Sequence, residues 1–597
     1  MRIHNPALLF SAICLSSAAH SVELDTQQIT GQLFEQPVAG QAFAVEVLDR
    51  RDIELLPVTN IADTLEWVSG LDVRQRGSGG TQVDLSIRGA SYEQTLILVD
   101  GVRMNDPQSG HHNFDIPLVL EDIERIEIVR GPGAGQYGPN GNAGVINLVT
   151  RKSADDRTAS AKLETGSKDY DRAMLSAGKT INHWSQFLSA AQQTSDSYIK
   201  EADLAYTIQQ GNYRAVHSTE NHTSVAGLGY IDKSFGAQGF YASAAARANE
   251  NTIQRHVYFT HEQRFDDIKI DAAVNWRQHD DEFFYLTYAP SVHQTNAWQA
   301  RLRAHISDRL TLGYEYNQED IESTSVLGDR HERTYNSVFI SGSYDLSALQ
   351  VAGSLSYLDY DDGQSYVLPV AGITLPVGDH QLYANAGKSA RVPSMNDLYL
   401  DQSASKGNAD LESEETTSAE IGGRFNVAGL LTRIAVFNRD TENAIDYTQT
   451  ASEKANGSAY IARNIDAQTK GFDVELDATG LLAEYGFQKL TISHTRLIQD
   501  VDNPYAEARY TRLKLENQTM AGVAYELMPG VSVTAQYKLE SRYQQSAYRL
   551  LDAGIKQAFE HWHWALSGNN LLNADYIDSG SIAAPGIGYR FELGAEF

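Results

Sequence analysis

From about residue 153 to the C-terminus, apolar and polar side chains alternate with a period of two. Trp298, Ala300, Leu302, Ala304 and Ile306 alternate with Gln299, Arg301, Arg303 and His305. Ile268, Ile270, Ala272, Val274 and Trp276 alternate with Lys269, Asp271, Ala273, Asn275 and Arg277. Val531, Val533, Ala535, Tyr537 and Leu539 repeat the pattern against Ser532, Thr534, Gln536, Lys538 and Glu540. Side chains of a strand point to opposite faces in turn, so each segment reads as a strand with one apolar and one polar face. Such strands suit a soluble sandwich, or a barrel with lipid outside and water inside.

Connections favour the barrel. Ser307-Asp308-Arg309 and Met528-Pro529-Gly530 are tight turns, whereas Asn317 to Arg333 and Gln449 to Arg463 read as long polar loops. Short turns at one end and long loops at the other are the outer-membrane pattern. The last strand alternates Tyr589, Phe591, Leu593, Ala595 and Phe597 with Arg590, Glu592, Gly594 and Glu596, and ends on an aromatic. Residues 153–597 number 445. At roughly 20 residues per strand and connection, they supply about 22 strands. A lumen that wide leaks unless filled.

The preceding region supplies a filling of suitable size. Residues 36–152 mix short apolar strands, such as Ile97-Leu98-Val99 and Val145 to Val149, with a short helix from Ile61 to Val68 capped by Asn60. The predicted fold is an all-β transmembrane barrel of about 22 antiparallel strands, residues 153–597, with an N-terminal mixed α+β plug domain inside the lumen.

The first 21 residues read as a signal peptide. Arg2 and His4 precede an apolar run of 13 residues, Ala7 to Ala19, and Ala19-His20-Ser21 offers small residues for cleavage before Val22. The only cysteine, Cys14, falls in that segment, which excludes a disulfide framework from the remainder. A net charge of −29 lacks the basic footprint of a nucleic-acid binder. A mean hydropathy of −0.38 excludes a polytopic helical membrane protein, though not a barrel, whose alternating strands average out.

Several segments resemble TonB-dependent outer-membrane receptors. In the first region they are Ile87-Arg88-Gly89, Leu96-Ile97-Leu98-Val99-Asp100-Gly101-Val102 and Ile123-Glu124-Arg125-Ile126-Glu127-Ile128-Val129-Arg130-Gly131-Pro132. They continue through Tyr137-Gly138 and Asn142-Ala143-Gly144-Val145-Ile146-Asn147. In the barrel they are Ala390-Arg391-Val392-Pro393-Ser394, Asn396-Asp397-Leu398-Tyr399, Gly407-Asn408-Ala409-Asp410-Leu411 with Glu414-Glu415, and Asn569 to Tyr576. The short length and few oversized loops are similar to the cobalamin-receptor branch.

The resemblance implies roles for named residues. Within residues 22–35, Asp25-Thr26-Gln27-Gln28-Ile29-Thr30-Gly31 is similar to the TonB box, which pairs with the periplasmic protein TonB as an added strand. Gln27 and Gln28 stand where apolar residues are more usual, and a plain flexible leader is the other reading. Plug arginines Arg88 and Arg130 are expected to pair with barrel glutamates, with Glu420 and Glu475 as partners, because a buried unpaired arginine is costly. Two plug segments, 75–82 and 103–114, are expected to face outward and touch ligand. Ser78, Gln82, Met104, Asn105, His111, His112 and Asn113 are the candidate substrate contacts.

The pair His111-His112 admits a metal reading beside ligand hydrogen bonding and structural polarity. Asp280-Asp281-Glu282 and Asp359, Asp361 and Asp362 are candidate calcium ligands, as in some cobalamin receptors, and equally ordinary solvated loops.

The implied function is TonB-dependent uptake of a large scarce ligand, cobalamin first and a ferric siderophore second. It takes place in outer-membrane lipid, with no catalytic site and no cofactor required, calcium being a candidate ion. A closed barrel satisfies its own edges, so a monomer is expected. An outer-membrane barrel enzyme needs a converged Ser/His/Asp set, and no Gly-x-Ser-x-Gly motif occurs in a strand–turn–helix context. An adhesin or phage receptor would leave the plug motifs unexplained.

Overall fold

The computed structural model describes residues 42–132, 138–152, 159–241, 246–510 and 514–597. The expected signal segment with Cys14, and the Asp25–Gly31 segment, lie outside the described residues.

Twenty-two long antiparallel strands, from Ala159–Gly166 to Gly588–Glu596, form a closed barrel. Two-residue strands Ser405–Lys406 and Glu507–Ala508 extend it at the loops. The last strand pairs on one side with Trp562–Asn569 and on the other with Ala159–Gly166. No backbone edge is left open, as a lipid environment demands.

The alternation is inside out relative to a soluble protein. Trp298 is 46% exposed and Leu302 53% exposed, whereas Gln299 and Arg301 are buried in the lumen. The terminal Tyr589, Phe591, Leu593 and Phe597 are likewise exposed. An apolar belt of this size on the outside is stable only against hydrocarbon. No helix among the described residues is long and apolar enough to cross a membrane; the strands do the crossing.

Two loops are shorter than their sequence implies. Strands Leu310–Ser323 and Arg330–Leu346 leave only residues 324–329 between them, not Asn317 to Arg333. Leu430–Gln449 and Tyr460–Asp477 leave residues 450–459, which include a one-turn helix Ala451–Ala455. These strand ends carry polar residues on both faces, so the alternation fades while the backbone ladder continues.

The plug is built on strands β1 (Ala44–Asp49), β2 (Leu71–Arg76), β3 (Gln82–Ile87), β4 (Thr95–Val99), β5 (Val102–Arg103), β6 (Ile123–Arg130) and β7 (Gly144–Thr150). The main sheet runs β1-β6-β7-β4-β5, with β4 and β7 parallel, and β2 pairs β3 separately. The helix predicted from Ile61 spans Ile61–Leu65, and the Asn60 side chain accepts from the Asp63 N–H at 2.9 Å. Asp100 and Gly101, both at positive φ, turn β4 into β5. The Asp100 carboxylate then accepts from the Thr150 N–H and hydroxyl and from Tyr258 Oη of the barrel. Leu65, Ile97, Ile126, Ile128 and Ile146 form the plug's own core. Apolar clusters joining plug to barrel are small, such as Val119 with Met174 and Ala191.

Candidate ligand-binding site

The plug meets the barrel mainly through charge. Arg88 pairs with Glu420 and, at 2.6 Å, with Asp473, and its guanidinium lies 4.0 Å from the Phe437 ring centroid. Arg542 of the barrel reaches Asp72 at 2.7 Å, Arg277 reaches Asp106 at 2.6 Å and Lys233 reaches Asp115 at 2.7 Å. Lumen-facing strand residues must be polar to face water, and the plug's surface carries the opposite charges.

The other two lock residues pair elsewhere. Arg130 donates to Glu46 at 2.6 Å and to the Ser69 carbonyl at 2.7 Å, both within the plug. β1 lies antiparallel beside β6, which puts Glu46 on the neighbouring strand. Glu475 pairs with Arg433, its cross-strand partner in register. In each case the strand neighbour is nearer than the residue across the lumen.

At the long-loop end, the plug and barrel enclose a cavity of about 480 Å³. Tyr92, Tyr241, Phe283, Tyr285, Tyr288, Tyr447 and Tyr510 give it an aromatic wall. Glu93, Glu250, Asp281 and Asp397 add acid, and Arg509 is the only arginine or lysine among the described lining residues.

His111 and His112 both line this cavity. They sit in the 3₁₀ turn Gly110–His112, opened by Ser109. His111 Nδ1 lies 2.6 Å from Asp84, and its ring stacks on Tyr92 with centroids 4.5 Å apart. Burial lowers the His111 pKa, a trend that Asp84 opposes only in part. Burial would also depress His112, but the hydrogen bond and charge of Asp281, together with the charges of Glu250 and Asp115, lift it to about 10. Burial pushes the Glu93 carboxyl up to about 7 against the pull of Arg391, while its Oε1 accepts from the Gly110 N–H at 2.7 Å.

The remaining predicted contacts serve the frame. Met104 is only 1% exposed and belongs to the plug core: its N–H bonds to the Ile97 carbonyl, and its apolar chain turns inward. The Asn105 side chain accepts from the Ile97 N–H and donates to the Thr95 carbonyl. Asn113 accepts from the Asp106 N–H. Gln82 is buried and donates to Tyr241 Oη, so it supports a cavity ring. Ser78 stands on a loop packed against the strands Trp184–Ser195 and Tyr206–Ser218, away from the cavity wall.

The acidic runs do not converge either. Asp280 pairs with Arg255 at 2.6 Å, and Asp281 projects into the lumen, because adjacent strand residues face opposite ways. Asp361 accepts from Thr334, Asp362 from Gln364 and Asp359 from Tyr357, all exposed. The aromatic residues and Arg509 carry no sequence signal because they come from five separated segments with no shared motif.

Residues 129–571 match the family model "TonB dependent receptor-like, beta-barrel", and residues 37–145 match "TonB-dependent Receptor Plug Domain". The chain belongs to the TonB-dependent receptors. Receptors of this family are outer-membrane transporters and not enzymes. The chain is 28% identical over 482 residues to the vitamin B12 transporter BtuB of Vibrio vulnificus strain CMCP6, covering 75% of each chain. It is 24% identical to BtuB of Photobacterium profundum, covering 80% of each. Among solved structures, this receptor resembles the siderophore receptor PirA from Acinetobacter baumannii, with TM-score 0.76 and 17% identity over 93% of this chain and 98% of that one. It also resembles the unliganded ferric citrate transporter FecA, with TM-score 0.77 and 15% identity over 94% and 98%. At such identities the structural likeness concerns the fold.

Proposed function

We propose that this receptor imports cobalamin. The observation that carries the reading is the outer cavity: seven tyrosine and phenylalanine rings on a wall whose described lining holds one arginine. Flat aromatic faces suit a large ring-shaped ligand. An anionic iron chelate would find a single arginine, Arg509, among the described lining residues, beside the acids Asp281 and Asp397. The similarity to the two vitamin B12 transporters supports the same choice.

Transport follows from the way the plug is held. Its apolar core is internal, and its contacts to the wall are mostly ion pairs and hydrogen bonds. Such an interface rearranges in water more readily than a fused apolar core. The exported chain begins at Val22 after cleavage. Its segment Asp25–Gly31 adds as a strand to TonB, and force on that segment remodels the plug beneath the ligand. The receptor works as a monomer, its barrel closed on itself.

Titration of the purified receptor in detergent with cyanocobalamin and a panel of ferric siderophores, each with and without calcium, tests the assignment. Submicromolar binding of cobalamin alone supports it. Siderophore binding without cobalamin binding overturns it. Tighter cobalamin binding in calcium would make calcium part of the site.

A further inference from the structure

Three side chains meet on the cavity wall and leave buried carboxylate oxygens without a hydrogen-bond donor. His112 of the plug, and Glu250 and Asp281 of the barrel, each bring one ligand atom to within 4.8 Å of the other two. They are 4%, 1% and 4% exposed. Glu250 lies at the outer end of the strand Ala248–Phe265, and Asp281 lies diagonally across from it on Ile268–Tyr285. His112 Nε2 is 3.5 Å from Asp281 Oδ2, which also accepts from Gln108 at 3.0 Å. Glu250 Oε1 accepts from Tyr241 at 3.4 Å. Glu250 Oε2 and Asp281 Oδ1, both buried, accept nothing from the described residues.

The two buried carboxylates lie side by side with His112 as their nearest cationic partner, and a divalent ion in place of its proton would balance both. No lysine or arginine among the described residues pairs with either one. The neighbouring group His112, Asp115 and His279 differs: Asp115 is already held by Lys233 at 2.7 Å and by His279 at 2.9 Å, and neither Asp115 nor His279 lines the cavity. His293, which also lines the cavity, stands opposite Asp281 on the next strand.

We propose that His112, Glu250 and Asp281 form a binding site for a divalent first-row transition-metal ion, joining the plug to the barrel wall. One imidazole and two carboxylates are the donors that zinc, cobalt, nickel and manganese accept. Three protein ligands leave coordination positions facing the cavity, for water or a donor atom of an incoming molecule. Calcium fits less well, since it takes six to eight oxygens and no imidazole. The site stands whether or not cobalamin is the cargo, because it is read with the ion alone.

The test uses the full mature receptor in detergent, without a histidine tag. Zn²⁺ is titrated by calorimetry, and Co²⁺ is followed by its visible absorption bands. One ion per chain is expected, with affinity reduced at least tenfold in Glu250→Gln and in Asp281→Asn, and the cobalt bands lost in His112→Ala. His222→Ala removes one of the histidines clustered at the short-turn end, where His217 Nδ1 and His222 Nε2 lie 2.9 Å apart, and is expected to leave this binding intact. Zinc is also expected to slow hydrogen exchange in residues 108–115. Heat-modifiable gel mobility confirms that each variant is folded. Should His112→Ala not fold, the two near-isosteric carboxylate variants decide alone. Absence of binding, binding unchanged in both carboxylate variants, binding lost in His222→Ala, or equal competition by Ca²⁺ overturns the proposal.

Discussion

The Arg88 guanidinium donates to the carboxylate of Glu420, 332 positions later in the chain, and both side chains are almost wholly buried. Asp473 completes the site on the other side of Arg88. Arg88→Ala would leave two acids buried with their cation gone, a change that typically costs about 3–5 kcal/mol. The lipid-facing strands do not depend on that pair, so the barrel is expected to assemble while the plug loosens. Single-channel recording should show openings in Arg88→Ala that the parent lacks, and hydrogen exchange over residues 84–90 should speed up. Glu420→Gln, which leaves Asp473 in place, should show a weaker form of both. Unchanged exchange in Arg88→Ala would mean that the pair does not hold the plug.

Gly144 has no room for a side chain. Its φ is +152°, and a Cβ placed there would lie 2.3 Å from the Val129 carbonyl oxygen and 2.8 Å from Ile87 Cδ1. The oxygen belongs to the paired strand β6 and has no rotamer by which to retreat. Gly144→Ala is therefore expected to force β6 and β7 apart, at a cost of about 2–4 kcal/mol, within the range for overpacking and backbone strain. Protease sensitivity of the plug in isolated outer membranes should rise sharply, with the barrel core still protected. A plug as resistant as the parent's would show that the sheet relaxes around the methyl group.

Tyr92 links the two sides of the ligand cavity. It stacks on His111 at 4.5 Å and meets Tyr510 edge-on at 5.4 Å. Tyr92→Ala and Tyr510→Ala are each expected to weaken cyanocobalamin binding about tenfold, the upper end of what one aromatic contact contributes. Because the rings touch, the double variant should lose less than the product of the two. Calorimetry on the three variants measures this directly, and full additivity would mean that the rings act separately.

How far the sequence could be read depended on whether the information was local. The strands were legible because lipid forces every second residue to be apolar, as at Trp298 to Ile306, and because the terminal strand repeats the rule up to Phe597. Arg88 with Glu420 was legible as a pair of buried charges in separate motifs. Arg130 and Glu475 were not, because their partners are set by strand register: Glu46 lies on the neighbouring plug strand, and Arg433 lies directly opposite Glu475. Met104 looked like ligand surface because a loop was expected there, yet its backbone bonds to Ile97 and its side chain fills the plug core. The cavity itself was illegible, since Tyr241, Phe283, Tyr447 and Tyr510 come from separate strands and loops that only barrel closure brings together.

Asp122 offers a pH test on the plug's other side. Its carboxylate is buried, accepting from the Val119 N–H at 3.1 Å and from Ser189 Oγ at 2.8 Å. Burial raises its pKa from 3.8 to about 6, with Ser189 and Arg214 opposing and Glu121 assisting. The folded state therefore holds this proton more tightly than the unfolded chain does. The stability this confers is fully present below pH 3.8 and is lost as pH rises through about 6. Asp122→Asn keeps an acceptor for both hydrogen bonds and does not titrate. It should match the parent near pH 4 and exceed it above pH 7, by an amount on the order of 2–3 kcal/mol. Thermal unfolding of both proteins across that range, followed by loss of the plug's hydrogen-exchange protection, measures the difference. A variant less stable than the parent at pH 8 would show that the ionised carboxylate is held favourably by Arg214, and that its burial is not a cost.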